Sequence, residues 1–118
     1  IYDSIFAIKN QDIKEIEIQP IPENTVVNHW LSVITLKPNS KVKPLDIMEA
    51  LEKENIESRP VWKPMHMQPV FKDYDFIKVE EKPVSEDLFL RGVCLPSDTK
   101  MTKEEQERVI GIIKKLFD

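Results

Sequence analysis

The side chains best suited to chemistry lie in one short stretch, SRPVWKPMHMQPVF, at positions 58–71. Prolines at positions 60, 64 and 69 each fix a backbone φ angle and restrict the residue before them. The stretch shows no helical or strand periodicity, so we expect a stiff loop. Stiffness favours binding because a preordered segment loses less entropy when a ligand or partner docks.

The polar and aromatic groups of this loop suit an anionic, hydroxyl-rich ligand. They are a guanidinium, an indole, an ammonium, an imidazole and an amide, at Arg59, Trp62, Lys63, His66 and Gln68. The other interpretation is a rigid connector in which Trp62, Met65 and Met67 fill a core or a subunit interface. The residues alone leave both interpretations open, because loops carry function often but not always.

An autonomous catalytic or metal site is not predicted. His29 and His66 are the only imidazoles, and their spacing matches no metal-binding motif, so carboxylates from elsewhere would have to complete a site. The single cysteine, Cys94, lies in an apolar run, where burial raises the pKa of a thiol and lowers its reactivity. The only two glycines, Gly92 and Gly111, cannot build a G-x-G-x-x-G turn or a Walker loop.

Composition narrows the class of protein. The net charge of −4 argues against a nucleic-acid partner, which requires a basic surface. No apolar run is long enough to span a membrane, so no membrane partner is expected. The single cysteine fits a reducing, cytoplasmic location. The length of 118 residues predicts one domain.

The chain begins IYDSIFAIKN, without methionine, which indicates a fragment or a processed product, and of the two we expect a fragment. The apolar spacing over 1–12 predicts the truncated end of a linking helix.

Four strands are predicted downstream. Ile16 and Ile18 alternate with glutamates, which indicates a half-buried strand. Residues 26–36, VVNHWLSVITL, are the best strand candidate, and their apolar side chains on both faces predict cover on both sides. Shorter strands are expected over 56–61 and 93–95.

The first two internal helices have clear boundary signals. Pro44 suits the first position of a helix, and Asn55 suits a left-handed terminator after it. Ser85 is expected to cap a second helix over 86–91, which Gly92 would end.

A capping box of Thr102 and Glu105 predicts the start of the last helix. Together the elements predict an α+β fold, a small and mostly antiparallel sheet packed with helices.

Three segments resemble one enzyme family: NHWLSVITL, ALEKENIESRPVWKPMHMQPVF and SEDLFLRGVCLPSDTKMTKEEQERVIGIIKKL. The sequence is similar to the C-terminal small domain of the DegT/DnrJ/EryC1/StrS aminotransferases. The most specific pieces are RPVWKPMH-x-QPVF at 59–71 and F-x-RG-x-C-LPS at 89–97, whereas 72–82 shows no distinctive match. The resemblance implies part of a fold-type I enzyme that uses pyridoxal phosphate to aminate a nucleotide-linked keto-sugar, in polysaccharide or glycan precursor synthesis.

The resemblance also implies where the chemistry lies. An upstream large domain would carry the Schiff-base lysine and the pyridoxal phosphate, so no catalytic or cofactor-binding residue is expected in this chain, and the fragment alone would be inactive. Substrate contacts are expected first from His66 and Gln68, then from Arg59, Trp62 and Lys63, and last from Asn28 and His29.

The implied partners are the missing large domain, a nucleotide sugar, an amino donor such as glutamate, and a second subunit in a homodimer. The alternative is a non-enzymatic α+β module that binds a ligand or a protein through the loop at 59–71.

Overall fold

A computed structural model of the chain describes residues 13–28, 30–79 and 81–118. The helix predicted over 1–12 lies outside the described residues. Four strands form one antiparallel sheet: β1 at Ile16–Ile18, β2 at Ser32–Leu36, β3 at Arg59–Pro60 and β4 at Gly92–Leu95. The strand order is β1-β2-β4-β3. Within the described ranges, three helices accompany the sheet: α1 at Pro44–Glu52, α2 at Val84–Arg91 and α3 at Lys103–Lys114. The predicted α+β fold class is confirmed.

The hydrophobic core lies between one face of the sheet and the helices α1 and α3, which pack against each other. Register places Ile34 of β2 opposite Val93 of β4, so these two fully buried side chains point to the same face. The helices contribute fully buried side chains at Ile47, Leu51 and Ile113. The core therefore fixes β4 at the centre of the fold and leaves β3 at the edge.

The strand predicted over 26–36 is shorter in the structure, where only Ser32–Leu36 pairs. The neighbouring strands set this limit, because β4 ends at Leu95 opposite Ser32 and β1 reaches only Ile34. Burial along β2 alternates between buried and half-buried residues, so one face of the strand is fully covered and the other is covered in part. The strand predicted over 56–61 is reduced to Arg59–Pro60.

The boundaries of α1 match the prediction. Pro44 is its first residue, and the backbone nitrogen of Lys43 donates to Oδ2 of Asp46 at 2.7 Å. Asn55 adopts the left-handed conformation with φ of 57°, as expected of a residue that turns the chain after a helix.

The start of α2 differs from the prediction. The helix begins at Val84 with Pro83 as its N-cap, and the carbonyl of Pro83 accepts from the backbone nitrogens of Glu86 and Asp87. Ser85 therefore lies inside the first turn and does not cap the helix. Gly92 does follow the last helical residue, but with an extended backbone that leads straight into β4.

The capping box of α3 is confirmed. The Thr102 hydroxyl accepts from the backbone nitrogen of Glu105 at 3.2 Å, and the Glu105 carboxylate accepts from the backbone nitrogen of Thr102 at 2.8 Å. No helix among the described residues is long and apolar enough to cross a membrane.

Candidate functional site

An open groove of about 1090 Å3 runs beside the edge strand β3. This volume lies just above the roughly 300–1,000 Å3 typical of small-molecule sites. Residues from the segment before β2, from the 55–63 segment, from the end of β4 and from the start of α3 line it. The groove thus lies where the stiff loop leaves the sheet.

Two tryptophans and Phe89 form the aromatic part of this groove. The ring centroids of Trp30 and Trp62 lie 5.9 Å apart with an interplanar angle of 37°. Both side chains line the groove, yet Trp30 is 71% exposed and Trp62 is 64% exposed. The rings therefore contact each other without being covered by the rest of the described chain.

Among the residues that the structure describes, three cations line the same groove. Arg59 Nη2 lies 2.6 Å from Glu57 Oε1, in a pair whose side chains are about three-quarters exposed, at 76% and 74%. Arg108 donates to the carbonyl oxygen of Glu54 at 2.8 Å and to its carboxylate at 3.0 Å. Lys63 is exposed, and within the described ranges no carboxylate lies at ion-pairing distance from its ammonium.

His66 lies away from the groove lining. It sits in a short 3-10 turn at Met65–Met67, where its Nε2 lies 2.7 Å from Oε1 of Glu86 on α2. Its ring stacks on Phe76 with centroids 3.6 Å apart and an interplanar angle of 9°. These contacts leave the His66 side chain only 17% exposed.

Gln68 also has a local role in the loop. Its Nε2 donates to the carbonyl oxygen of Lys63 at 3.2 Å, across the 3-10 turn that holds His66. The Asn28 side chain accepts from the backbone nitrogen of Trp30 at 3.1 Å, while His29 lies outside the described residues.

The structure therefore divides the predicted site residues into two groups. Arg59, Trp62 and Lys63 line the groove, whereas His66 and Gln68 do not. Sequence reasoning did not select Trp30, because it lay inside the strand predicted over 26–36, where an aromatic side chain indicates core. The shortened strand leaves it exposed beside Trp62.

Cys94 is buried, with 7% of its surface exposed, in the centre of β4. Burial raises the pKa of its thiol, as predicted from the apolar run around it. A protonated, covered thiol is a poor nucleophile. In the part of the chain that the structure describes, no group of three or more histidine, cysteine or acidic side chains is placed to hold a metal ion.

A family model adds the decisive observation. The model of the DegT/DnrJ/EryC1/StrS aminotransferase family matches residues 3–114. The chain belongs to this family. The relationship predicted from the 59–71 and 89–97 segments is thereby confirmed.

Individual relatives agree with this assignment. EpsN of Bacillus subtilis (strain 168), described as a candidate pyridoxal phosphate-dependent aminotransferase, is 48% identical over 93 residues, which are 78% of this chain and 24% of EpsN. The GDP-perosamine synthase of Vibrio cholerae is 30% identical over an alignment 129 positions long. This alignment covers 98% of this chain and 34% of that protein. The PLP-form structure of Spr1654 from Streptococcus pneumoniae, described as a candidate sugar aminotransferase, superposes with a TM-score of 0.78 at 22% identity, over 98% of this chain and 29% of that one.

The chain spans 24% of EpsN and 34% of the GDP-perosamine synthase, far less than the length of either relative. The activities in the names of these DegT/DnrJ/EryC1/StrS proteins therefore belong to much longer polypeptides.

The described residues do not fit pyridoxal phosphate itself. A lysine that forms a Schiff base is activated in a desolvated pocket. Every lysine that the structure describes is exposed except Lys114, which is half-buried near the end of α3. Gly92 starts a strand and Gly111 lies inside α3, so neither belongs to a phosphate-binding turn.

Proposed function

We propose that this chain is the C-terminal small domain of a pyridoxal phosphate-dependent aminotransferase that aminates a nucleotide-linked keto-sugar for polysaccharide or glycan precursor synthesis. The observation that carries the proposal is the family match over residues 3–114. The proposed cofactor and the proposed nucleotide-linked sugar are supported by the names of two relatives. One is a GDP-perosamine synthase, and the other is described as pyridoxal phosphate-dependent.

In the proposed enzyme, an upstream large domain holds the cofactor and the Schiff-base lysine. This assignment agrees with the exposed lysines and the absence of a phosphate-binding turn among the described residues. When bound, the cofactor supplies the electron sink for transamination, while the protein supplies orientation and electrostatics. Glutamate is the proposed amino donor, and a homodimer is the proposed assembly. The chain alone is expected to be inactive.

This chain's own contribution is to bind and orient the substrate. Arg59, Trp62 and Lys63 share one groove and present charge and an aromatic face to an anionic ligand. Holding reactants in the right geometry removes several kcal/mol from a barrier, on the order of 7–11 in the best cases. The groove residues would supply part of that positioning.

His66 and Gln68 remain proposed substrate contacts from the other side of the loop. Glu86 engages Nε2 of His66, so Nδ1 is the ring nitrogen proposed to face a substrate. The amide nitrogen of Gln68 is used within the loop, which leaves its carbonyl oxygen for a substrate hydroxyl. Asn28 and His29 are proposed as further contacts, beside Trp30.

A chimera tests the proposal. The segment of EpsN that matches this chain is replaced by the chain, and the product is assayed by mass spectrometry with glutamate and a panel of UDP-, GDP- and TDP-linked keto-sugars. We expect amino-sugar formation by the chimera, and none by the chain alone or by EpsN without the segment. The proposal would be rejected by a chimera that binds pyridoxal phosphate and forms dimers but aminates none of the sugars that EpsN aminates.

The second candidate is a non-enzymatic module that binds a ligand or a protein through the 59–71 loop. The observation in its favour is the pair of Trp30 and Trp62, which the described residues leave exposed. It predicts that the chain binds its ligand tightly by itself and that the chimera is inactive.

A further inference from the structure

Helix α2 carries its apolar and charged side chains in an unusual arrangement. A surface helix normally turns its apolar side chains towards the core and its charged side chains towards solvent. In α2, however, Val84 is 63% exposed and Leu88 is 41% exposed. The charged side chains of Glu86, Asp87 and Arg91 are better covered, with 30%, 23% and 19% exposed. The helix therefore leaves apolar side chains in solvent while it covers its charges.

Contacts of the charged side chains hold α2 in this rotation about its axis. Oε1 of Glu86 lies 2.7 Å from Nε2 of His66 in the proline-framed loop. Arg91 donates to the carboxylate of Asp87 and to the carbonyl oxygen of Leu36 on β2. Turning the apolar side chains inwards would break these contacts. The outward position of the apolar side chains is therefore a fixed feature of the fold.

Val84 and Leu88 form one apolar stripe, because residues four positions apart are neighbours on a helix. This stripe is called the outer α2 surface below. The segment that leads into α2 adds further exposed apolar side chains at Ile77 and Val79. Single exposed apolar residues are normal, whereas a group of them on one face is typical of an interaction site.

The outer α2 surface lies beside the strand with which the sheet begins. Nη1 of Arg91 lies 3.7 Å from Oε2 of Glu17 on β1. Arg91 is also a neighbour of Leu88 on the helix, since the two are three positions apart. In the proposed enzyme the large domain precedes β1 in sequence. The polypeptide that joins the two domains would therefore arrive next to this surface.

The relatives have enough polypeptide to cover such a surface. The chain spans 24% of EpsN and 34% of the GDP-perosamine synthase, so most of each relative lies outside the matched part. Interfaces between domains of one polypeptide typically bury about 600–1,500 Å2. The stripe of Val84 and Leu88 would form the apolar centre of such an interface.

We propose that the outer α2 surface is the docking site for the large domain of the same polypeptide. The inference rests on the proposed function, which places such a domain upstream of this chain. The occupant presents apolar side chains to Val84 and Leu88, because the charges of α2 are already paired within the fold. Docking there would also hold the 59–71 loop in a fixed position relative to the large domain, through the contact between Glu86 and His66.

Photo-cross-linking tests both the surface and its occupant. In the EpsN chimera described above, p-benzoylphenylalanine replaces Leu88, and the irradiated protein is analysed by denaturing electrophoresis and peptide mass spectrometry. We expect a product with the mass of one polypeptide, in which position 88 is joined to a peptide of the large domain. The matched control has the same replacement at Leu45, which is 59% exposed on α1 and should give no such cross-link.

A charge on the surface should weaken docking. In the chimera, Leu88→Glu should make trypsin cleavage between the two domains about tenfold faster, since cleavage follows the population of the open form. Leu45→Glu should leave the cleavage rate unchanged. Circular dichroism of both variants in the 118-residue chain checks that the small domain itself folds.

Two results would overturn the inference. One is a replacement at Leu88 that yields no more cross-linking to the large domain than the replacement at Leu45. The other is a cross-link between two polypeptides, which would assign the surface to a second copy of the chain. Amination assays separate this inference from the proposed function. Cross-links to the large domain in a chimera that aminates no sugar would support the surface and reject the aminotransferase, whereas an active chimera without them would do the reverse.

Discussion

Nε2 of His66 lies 2.7 Å from Oε1 of Glu86, and this contact joins the proline-framed loop to helix α2. The two residues are separated by 20 positions in the sequence. Both side chains are largely covered, with 17% and 30% exposed. The loop that carries the proposed substrate contacts is therefore held by a carboxylate from another element, as well as by its own prolines.

Glu86→Ala should lower the free energy of unfolding by about 1–3 kcal/mol, since it leaves a covered imidazole without its partner. Glu86→Gln keeps the side-chain shape and one hydrogen bond, so it should lose less. Urea denaturation measures both. The control is Glu107→Ala, which removes an exposed pair with Lys103 and should cost less than about 1 kcal/mol. Equal losses for Glu86→Ala and Glu107→Ala would contradict this interpretation of the loop.

Asp87 should make stability depend on pH at the acid end. Hydrogen bonds from Arg91, and then from Lys82, lower the pKa of Asp87 from 3.8 to about 2. A carboxyl whose pKa is lowered by folding stabilises the fold at pH values above its pKa in the unfolded chain. This stabilisation is lost as the pH falls through its pKa in the folded chain. The full contribution is on the order of 2 kcal/mol.

The Asp87→Asn variant tests this dependence by urea denaturation at several pH values between 2 and 6. The difference in unfolding free energy between the wild-type chain and the variant should be largest above pH 4 and shrink towards pH 2. Arg91 also donates to the carbonyl oxygen of Leu36, so loss of Asp87 should loosen α2 from β2. A difference that stays constant with pH would show that Asp87 acts only through packing.

The sequence predicted the elements well where local signals decide them. Pro44, Asn55 and the Thr102–Glu105 capping box each set a helix boundary through their own backbone or side-chain chemistry. The β-branched run in Ser32–Leu36 likewise predicted the central strand.

Errors arose where a boundary depends on a partner distant in sequence. The strand predicted over 26–36 begins only at Ser32, because its partner strand β4 ends at Leu95, which pairs with Ser32. That limit is a property of the neighbouring strand, and the apolar pattern of 26–31 does not reveal it.

The same reason explains why only part of the candidate site was predicted. His66 and Trp62 belong to the same 59–71 loop, and nothing in their sequence positions distinguishes them. In the structure, however, His66 contacts Glu86 on α2, whereas Trp62 contacts Trp30 in the groove. Both partners belong to other elements, so their positions depend on tertiary packing.

Cys94 should resist thiol reagents while the chain is folded. Its burial raises the pKa of the thiol, and both effects reduce the thiolate available for reaction. Labelling with Ellman's reagent at pH 8 should be slow in buffer and fast in denaturing urea. Rapid labelling in buffer, at the rate of a small free thiol, would contradict the placement of Cys94 inside β4.

The two glycines should respond in opposite directions to replacement by alanine. A Cβ on Gly92 would overlap Cγ2 of Val61 and the carbonyl oxygen of Leu88, where α2 turns directly into β4. Gly92→Ala should therefore cost about 1–3 kcal/mol, as overpacking does elsewhere. Gly111 lies within α3 with open space around its Cα, so Gly111→Ala should stabilise the chain by about 0.5–1 kcal/mol through helix propensity. Thermal unfolding of both variants provides the comparison, and a stable Gly92→Ala protein would show that α2 and the 59–71 loop do not meet at this point.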